Sequence, residues 1–447
     1  MNSRPPPFLA LSHRKSASNE ANSYKSGALT GLSYGIGKRT FENIFKGSVV
    51  LEIMLVGIVG RPNVGKSTFF KAATLSDVLI ANYPFATIKP NHGIAYVKIK
   101  DLAPEFGKVS NPREGYVKGE KGKWRFVPFE LMDVAGLVEG ASEGRGLGNE
   151  FLSDLAGADA FIHVVDMSGE TDGEGKPSED YYPGRDILII ERELDLWYQG
   201  ILMKVWKTFA RTVEMQKKNF ADAVAVQFSG LKVTDEDVKH VILKTNFNIE
   251  KPTSWSESEV AKFAHELRKY TKPMVICANK MDCLNSKDNY ERLKKEFDYP
   301  IVPCFSEGEL ALREADKHGL IEYIPGDSDF KIIGKLSEKQ KFALDEIRKI
   351  LMEYDSTGIQ EIINNVVFDI LKYIAVFPAG SKLEDSKGNV LPDCYLMPPD
   401  SSALDFAFRL HSDIGNSFVK AVHVRTKQAV GKDYKLKHRD GLEIMTK

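Results

Sequence analysis

Nine consecutive residues carry the densest chemistry of this chain: Gly60-Arg61-Pro62-Asn63-Val64-Gly65-Lys66-Ser67-Thr68. They fit Gly-x-x-x-x-Gly-Lys-Ser, a spacing that wraps backbone amides around a polyphosphate. Gly60 and Gly65 allow the turn to aim its N–H groups inward. A helix starting here adds the partial positive charge of its N-terminus. Within this cradle Asn63, Val64, Gly65, Lys66, Ser67 and Thr68 are the expected phosphate contacts. Lys66 is expected to reach the β- and γ-phosphates, and the Ser67 hydroxyl to hold Mg2+.

Three further clusters suit the same chemistry. The apolar run at 126–132 ends in Asp133-Val134-Ala135-Gly136. An acid at the end of a parallel strand beside a phosphate loop holds Mg2+, directly or through water, and Asp133 is that acid. Gly136 would let its N–H approach the γ-phosphate. The glycine-dense residues 137–149 then read as a segment that rearranges with the nucleotide. Thr87, in Asn82-Tyr83-Pro84-Phe85-Ala86-Thr87, offers the hydroxyl that a first mobile segment needs. The expected catalytic set is therefore Lys66, Thr87 and Gly136, and the expected metal ligands are Ser67, Thr87 and Asp133.

The last cluster reads a base. Asn279-Lys280-Met281-Asp282 follows the apolar run 273–278. The Asp282 carboxylate can accept both N1–H and the 2-amino group of guanine. Adenine has no donors on that edge and would leave the carboxylate unpaired, which discriminates by orders of magnitude. Asn279 would tie this loop to the phosphate loop, and the Lys280 stem would lie on the base plane. The Ser306 N–H is expected to face the guanine O6. The implied substrate is GTP, with GDP as product.

These groups need a scaffold that gathers them. The runs 53–59, 126–132, 161–166, 273–278 and 301–305 read as buried strands, most of them ending at a candidate residue. Residues 93–99 read as a further strand, and the acidic, glycine-rich 172–184 as a loop. From about 186 to 272, Ile187, Ile190, Leu194 and Trp197 recur at helical spacing, and Thr234 and Ser256 open acidic helix starts. Residues 336–371 are again helical. This predicts an α/β fold of the P-loop NTPase type over 53–370: a doubly wound, mostly parallel sheet with a helical insertion at about 186–272. Over 371–447 short strands near 373–377, 394–397, 418–423, 434–436 and 442–445, with a helix near 402–411 capped by Ser402 and Asp405, predict a small α+β domain. Residues 1–52 are rich in Ser, Gly and Lys/Arg. A disordered extension, a segment weakly like a transit peptide, and a natural start at Met54 all fit them.

Composition narrows the partners. At 447 residues, with 43% hydrophobic and 28% charged, the chain has room for two or three domains. A net charge of −1 gives no global pull toward nucleic acid, so such binding needs a local patch. Residues 420–447 offer one, with eight Lys/Arg against three acids. The four cysteines form no C-x-x-C pair and read as reduced thiols of a cytoplasmic protein. His163, inside an apolar run, reads as a buried strand histidine. No apolar stretch approaches the roughly 20 residues of a membrane span.

Taken together, these motifs resemble the Obg superfamily of GTPases, and within it the YchF/Obg-like branch of archaeal and eukaryotic type. The phosphate loop continues into Phe69-Phe70 as in that branch. Asn82 to Thr87 resembles its first switch, and Asp133-Val134-Ala135-Gly136-Leu137-Val138-Glu139-Gly140-Ala141 with Gly144-Arg145-Gly146-Leu147-Gly148-Asn149 its second. Glu309-Leu310-Ala311-Leu312-Arg313 is similar to the segment after its last guanine loop. The C-terminal domain resembles a TGS domain, a small β-grasp module. The resemblance implies a Mg2+-dependent GTPase switch that acts on the ribosome or RNA through the TGS domain and its basic stretch. Some relatives carry an altered base motif and prefer ATP; here Asn279, Lys280 and Asp282 are intact, which implies GTP. Phe305-Ser306 stands where the family usually has Ser-Ala. Leu137 stands where many GTPases have a water-orienting Gln. Asn63 occupies the position that binds K+ in related cation-dependent GTPases, so K+ is an expected second cofactor. An ATPase of the same fold and a nucleotide-gated RNA-binding adaptor are the competing readings.

Overall fold

The computed structural model describes residues 54–74, 91–134, 155–173, 175–380 and 382–447. Thr87, Gly136, Leu137 and the two predicted switch segments around them lie outside these residues.

The first half builds one sheet. Its elements are β1 (Leu55–Val59), α1 (Lys66–Thr74), β2 (His92–Lys100), β3 (Tyr116–Lys118), β4 (Trp124–Asp133) and β5 (Ala160–Asp166). Five helices follow: α2 (Gly184–Met203), α3 (Trp206–Gln216), α4 (Phe220–Gln227), α5 (Asp235–Thr245) and α6 (Glu257–Thr271). Then come β6 (Met274–Asn279), α7 (Ser286–Glu296), β7 (Ile301–Pro303) and α8 (Ser306–Lys317). The sheet has seven strands in the order β2-β4-β1-β5-β6-β7, with β3 paired to β4. β1, β4, β5, β6 and β7 run parallel, whereas β2 and β3 are antiparallel to β4. Every residue of β5 and β6 is buried, as expected of strands covered on both faces.

Two apolar layers flank the sheet. Phe69, Ala72 and Ala73 of α1 pack on one face with Ile58, Ile162 and Val164. Ile187, Ile190 and Leu194 of α2 pack on the other with Phe161 and Val165. The C-terminal half of α2 leaves the sheet and joins a separate core with Phe220, Trp255 and Phe263. The helical segment is therefore threaded into the domain through α2. Thr234 and Ser256 each form a capping box, with Asp237 and Glu259 respectively.

The hairpin β8 (Ile321–Glu322) and β9 (Lys331–Ile332) precedes α9 (Glu338–Tyr354) and α10 (Ile359–Asn364), which runs on into a π-helical turn. The C-terminal sheet contains β10 (Ile374–Pro378), β11 (Tyr395–Met397), β12 (Phe418–His423), β13 (Ala429–Val430) and β14 (Asp440–Thr446), in the order β11-β10-β14-β12-β13. It carries α11 (Ala403–Leu410), capped by Ser402 and Asp405, and the short α12 (Ser412–Asn416). The expected strand at 434–436 is reduced to a single bridge between Lys435 and Ser402. The partner strand cannot extend, because helix α11 begins at Ala403.

This small sheet shares its core with the large one. Ala375, Phe377, Leu391 and Val424 pack in one cluster with Val97, Ile99 and Leu102. Arg125, fully buried on β4, donates to the carbonyls of Leu391 and Pro392 at 3.1 and 2.9 Å. Arg425 and Arg439 both pair with Glu105. These two cations of the predicted basic patch thus face the large domain, and its exposed members are Lys420, Lys427, Lys432, Lys435, Lys437 and Lys447. Replacing Arg125 by Ala would strand two carbonyls and the buried Asp101. The expected loss in urea-unfolding stability is about 3 kcal/mol; a loss below about 1 kcal/mol would show that the buried guanidinium does not fasten the two sheets.

Candidate nucleotide site

Parallel strands deliver their C-terminal ends to one edge of the sheet, where such folds open a crevice. Register places Ile58 beside Asp133, Val59 beside His163, and Asp166 beside Asn279. The phosphate loop, Asp133, Asp166 and the base loop therefore share one rim. The order β4-β1-β5-β6 gathers groups that lie far apart in the chain.

The phosphate loop turns tightly between β1 and α1. Gly65 has φ +101°, and a Cβ there would sit 2.3 Å from Asn279 Nδ2, so no side chain fits. Val64 is fully buried beneath the turn. Ser67 is exposed and Thr68 half-buried on the first turn of α1. Lys66 Nζ, almost enclosed, donates to the Arg61 carbonyl at 2.9 Å. Burial pulls its pKa below the ordinary lysine value, with Asp133 opposing and Arg61 assisting.

Ser67 Oγ donates to Asp133 Oδ2 at 2.9 Å. The other oxygen, Asp133 Oδ1, is buried and has no hydrogen-bond partner. Burial raises this carboxyl, while Ser67 and Lys66 oppose the shift. An orphaned carboxylate oxygen next to a hydroxyl, both hard oxygen donors, fits Mg2+. Among the described residues no group of three or more metal-ligating side chains occurs, so a divalent ion here would complete its shell with phosphate and water.

Asn279 joins the two loops. Its Nδ2 donates to the Val64 carbonyl at 2.8 Å, and its Oδ1 accepts the Ser306 N–H at 3.2 Å. The Ser306 amide expected to face the base is thus committed to Asn279, because α8 begins there and points its first N–H at the nearest buried acceptor. Ser306 acts on the site by orienting Asn279. Lys280 turns the chain with φ +65°, and its Nζ reaches Asp166 Oδ2 at 2.7 Å. Asp282 then lies exposed, and no other described residue hydrogen-bonds its carboxylate.

The sequence reading missed Arg61, Asp166, Thr171 and Asp186. Residues 169–173 and 175–181, read as a loop only from 172 onward, fold back on themselves over the phosphate loop. Tyr181 N–H bonds to Gly169 O, and Ser178 N–H to Glu170 O. Arg61, 4% exposed, anchors this fold: its Nε pairs with Asp186 Oδ2 at 2.5 Å, and its guanidinium lies 5.0 Å from the Tyr181 ring. Asn63, at φ +64°, donates from Nδ2 to Gly175 O at 3.2 Å. The one available signal was Asp166 itself, an acid ending a mostly apolar run. His163 is buried as expected; both ring nitrogens lack partners, and burial holds its pKa near 3, so it is neutral.

Comparison with known proteins identifies the family. The model for the Obg-like GTPase YGR210-like, G4 motif-containing domain matches residues 277–380, that for the 50S ribosome-binding GTPase residues 55–193, and that for the TGS domain residues 373–446. An uncharacterised GTP-binding protein of Methanocaldococcus jannaschii is 45% identical over 397 residues, covering 88% of this chain and 99% of the relative. The chain belongs to the YchF/Obg-like family of P-loop GTPases. A ribosome-binding ATPase YchF of Bacillus subtilis is 30% identical over 82% of this chain and 87% of its own length. A solved GTP-binding protein from Pyrococcus horikoshii, 38% identical, matches with a TM-score of 0.70 over 88% of this chain and all of that one. The YchF GTPase of Schizosaccharomyces pombe, 24% identical, shares the fold with a TM-score of 0.52 over 88% and 97%.

In this YchF/Obg-like chain, Asn279→Asp would set an acceptor against the Val64 carbonyl. Guanine-nucleotide affinity, read by fluorescent-GDP titration, is expected to fall roughly 10- to 100-fold. An unchanged Kd would show that the Val64–Asn279 bond does not shape the site.

Proposed function

We propose that this protein binds GTP and hydrolyses it to GDP and phosphate as a Mg2+-dependent switch. The observation that carries the base assignment is the exposed Asp282 carboxylate, which no other described residue hydrogen-bonds, presented beside Lys280 at the end of β6. It meets the two donors of guanine and nothing on adenine. Lys66, now held by a loop carbonyl, exchanges that bond for phosphate oxygens. Ser67 and Asp133 would hold Mg2+, which when bound neutralises charge on the β- and γ-phosphates. Thr87 and Gly136 are proposed as the residues that sense the γ-phosphate.

K+ is proposed as a second cofactor at Asn63. Its Nδ2 is spent on Gly175 O, which leaves Oδ1 as the oxygen available to a cation. With Leu137 unable to orient water, a cation there would supply positive charge in the transition state. Hydrolysis is expected to run faster in K+ than in Na+, and Asn63→Ala to erase the difference. Equal rates in both salts with the unaltered chain would remove K+ from the mechanism.

Binding to the ribosome is proposed from the relatives named for it and from the six exposed lysines of the basic stretch 420–447. That role places the protein in the cytoplasm; no helix among the described residues is long and apolar enough to cross a membrane. The names of those relatives also support the ATPase reading. Competition separates the two: ATP displacing labelled GTP at equal concentration would overturn the guanine assignment.

Asp282→Asn turns an acceptor into a donor at the base 2-position, where xanthine carries a carbonyl. The variant is expected to trade GTP for XTP, with preference inverted by about 10-fold or more. Crowding by protein, reinforced by Glu307, raises the Asp282 carboxyl above its ordinary value. Recognition needs the charged form, so the preference for GTP over ATP fades on acidification at a higher pH than an unshifted aspartate, about 3.9, would allow. A preference that survives to that pH would show the carboxylate is not the reader.

A further inference from the structure

Arg61 and Lys280 lie on different loops, yet one line of part-buried hydrogen bonds joins them. Arg61 Nη1 donates to Thr171 Oγ1 at 2.9 Å, and Thr171 Oγ1 donates to Asp166 Oδ2 at 3.0 Å. The same Asp166 oxygen receives Lys280 Nζ at 2.7 Å. The Thr171 hydroxyl is thus both acceptor and donor in one chain, with its hydrogen committed.

Each link is held from its side. Asp166 is fully buried, and its other oxygen takes the Ser168 N–H at 3.0 Å and Ser168 Oγ at 2.6 Å. Burial alone would raise this carboxyl, but the bonds from Lys280 and Ser168 outweigh it and keep it charged. Arg61 also reaches the Thr171 carbonyl at 2.9 Å and the Asp172 carbonyl at 2.5 Å, and Asp186 at 2.5 Å answers its charge. Tyr181 OH adds a bond to Asp186 Oδ1 at 2.8 Å. Only a guanidinium, with five donors in a fixed fork, satisfies this set at once.

We propose that residues 169–173 and 175–181 form a brace that couples phosphate grip to base recognition, with Arg61 and Thr171 as its positioning residues. Arg61 sits in the turn that cradles phosphate, and Lys280 sits two residues before Asp282. A shift at one end of the line moves the Asp166 carboxylate and so the base loop. The two halves of the nucleotide are then read together. This rests on the guanine-nucleotide reading of the site.

The test compares GTP with ITP, which lacks only the 2-amino group that Asp282 accepts. Equilibrium dissociation constants are measured on the full chain with Mg2+. Arg61→Lys keeps a cation for Asp186 but cannot hold Thr171 and Asp172 together. Thr171→Val removes the shared hydroxyl at nearly the same shape, and Thr171→Ser retains it. The ITP-to-GTP ratio of Kd values is expected to fall about threefold or more in Arg61→Lys and in Thr171→Val, and to stay at the parental value in Thr171→Ser. A general loosening would weaken both nucleotides by one factor and leave the ratio unchanged, and that result overturns the brace. If Arg61→Lys fails to fold, Thr171→Val with its Ser counterpart decides alone. An unaltered chain that retains neither nucleotide, or that binds GTP and ITP equally, overturns the base reading and the brace with it.

Discussion

One buried amide sets the geometry on which the rest of the site depends. Asn279, 3% exposed, spends its donor on Val64 and its acceptor on Ser306. An unpaired buried amide costs about 1–3 kcal/mol, so both bonds are kept or both loops move. The phosphate loop passes so close to this side chain that only glycine fits at 65. The turn at Lys280 follows at once and sends Asp282 outward. One residue therefore fixes how the phosphate cradle, the base loop and the start of α8 stand to each other.

The charges around the cradle are held under electrostatic tension. Burial pulls Lys66 toward its neutral form and pushes Asp133 the same way. Asp133 opposes the shift at Lys66, and the Ser67 hydrogen bond, then Lys66, oppose it at Asp133. A polyphosphate with a divalent cation would relieve both desolvation costs, because it brings opposite charge to each. Binding would then return part of the free energy that burying these charges costs, which is how a ligand stabilises a fold whose own site opposes it.

Much of this was legible in the chain, for local reasons. The strands announced themselves as short apolar runs, and β5 and β6 proved buried throughout. The caps at Thr234, Ser256 and Ser402 follow from side chains bonding to amides three residues on. Motif spacing located Lys66, Ser67, Asp133 and Asn279 because one backbone turn or one strand end dictates each. What escaped reading was long-range. Nothing local to Arg61 says that it will meet Thr171, Asp172 and Asp186. A loop rich in Asp and Gly has no period to betray its folded form. The Ser306 amide was assigned to the base because the competing acceptor, Asn279 Oδ1, lies on another strand. The shortened strand at 434–436 failed for a similar reason: its would-be partner was already a helix.

The buried Arg125 and the shared apolar cluster fasten the C-terminal sheet to the large one. It is built onto β2 and β4, and β4 is the strand that ends at Asp133. Whatever surface its lysines meet is consequently held at a set span from the nucleotide rim, as by a ruler rather than a tether. A partner that met both the lysines and the rim would have to match that span.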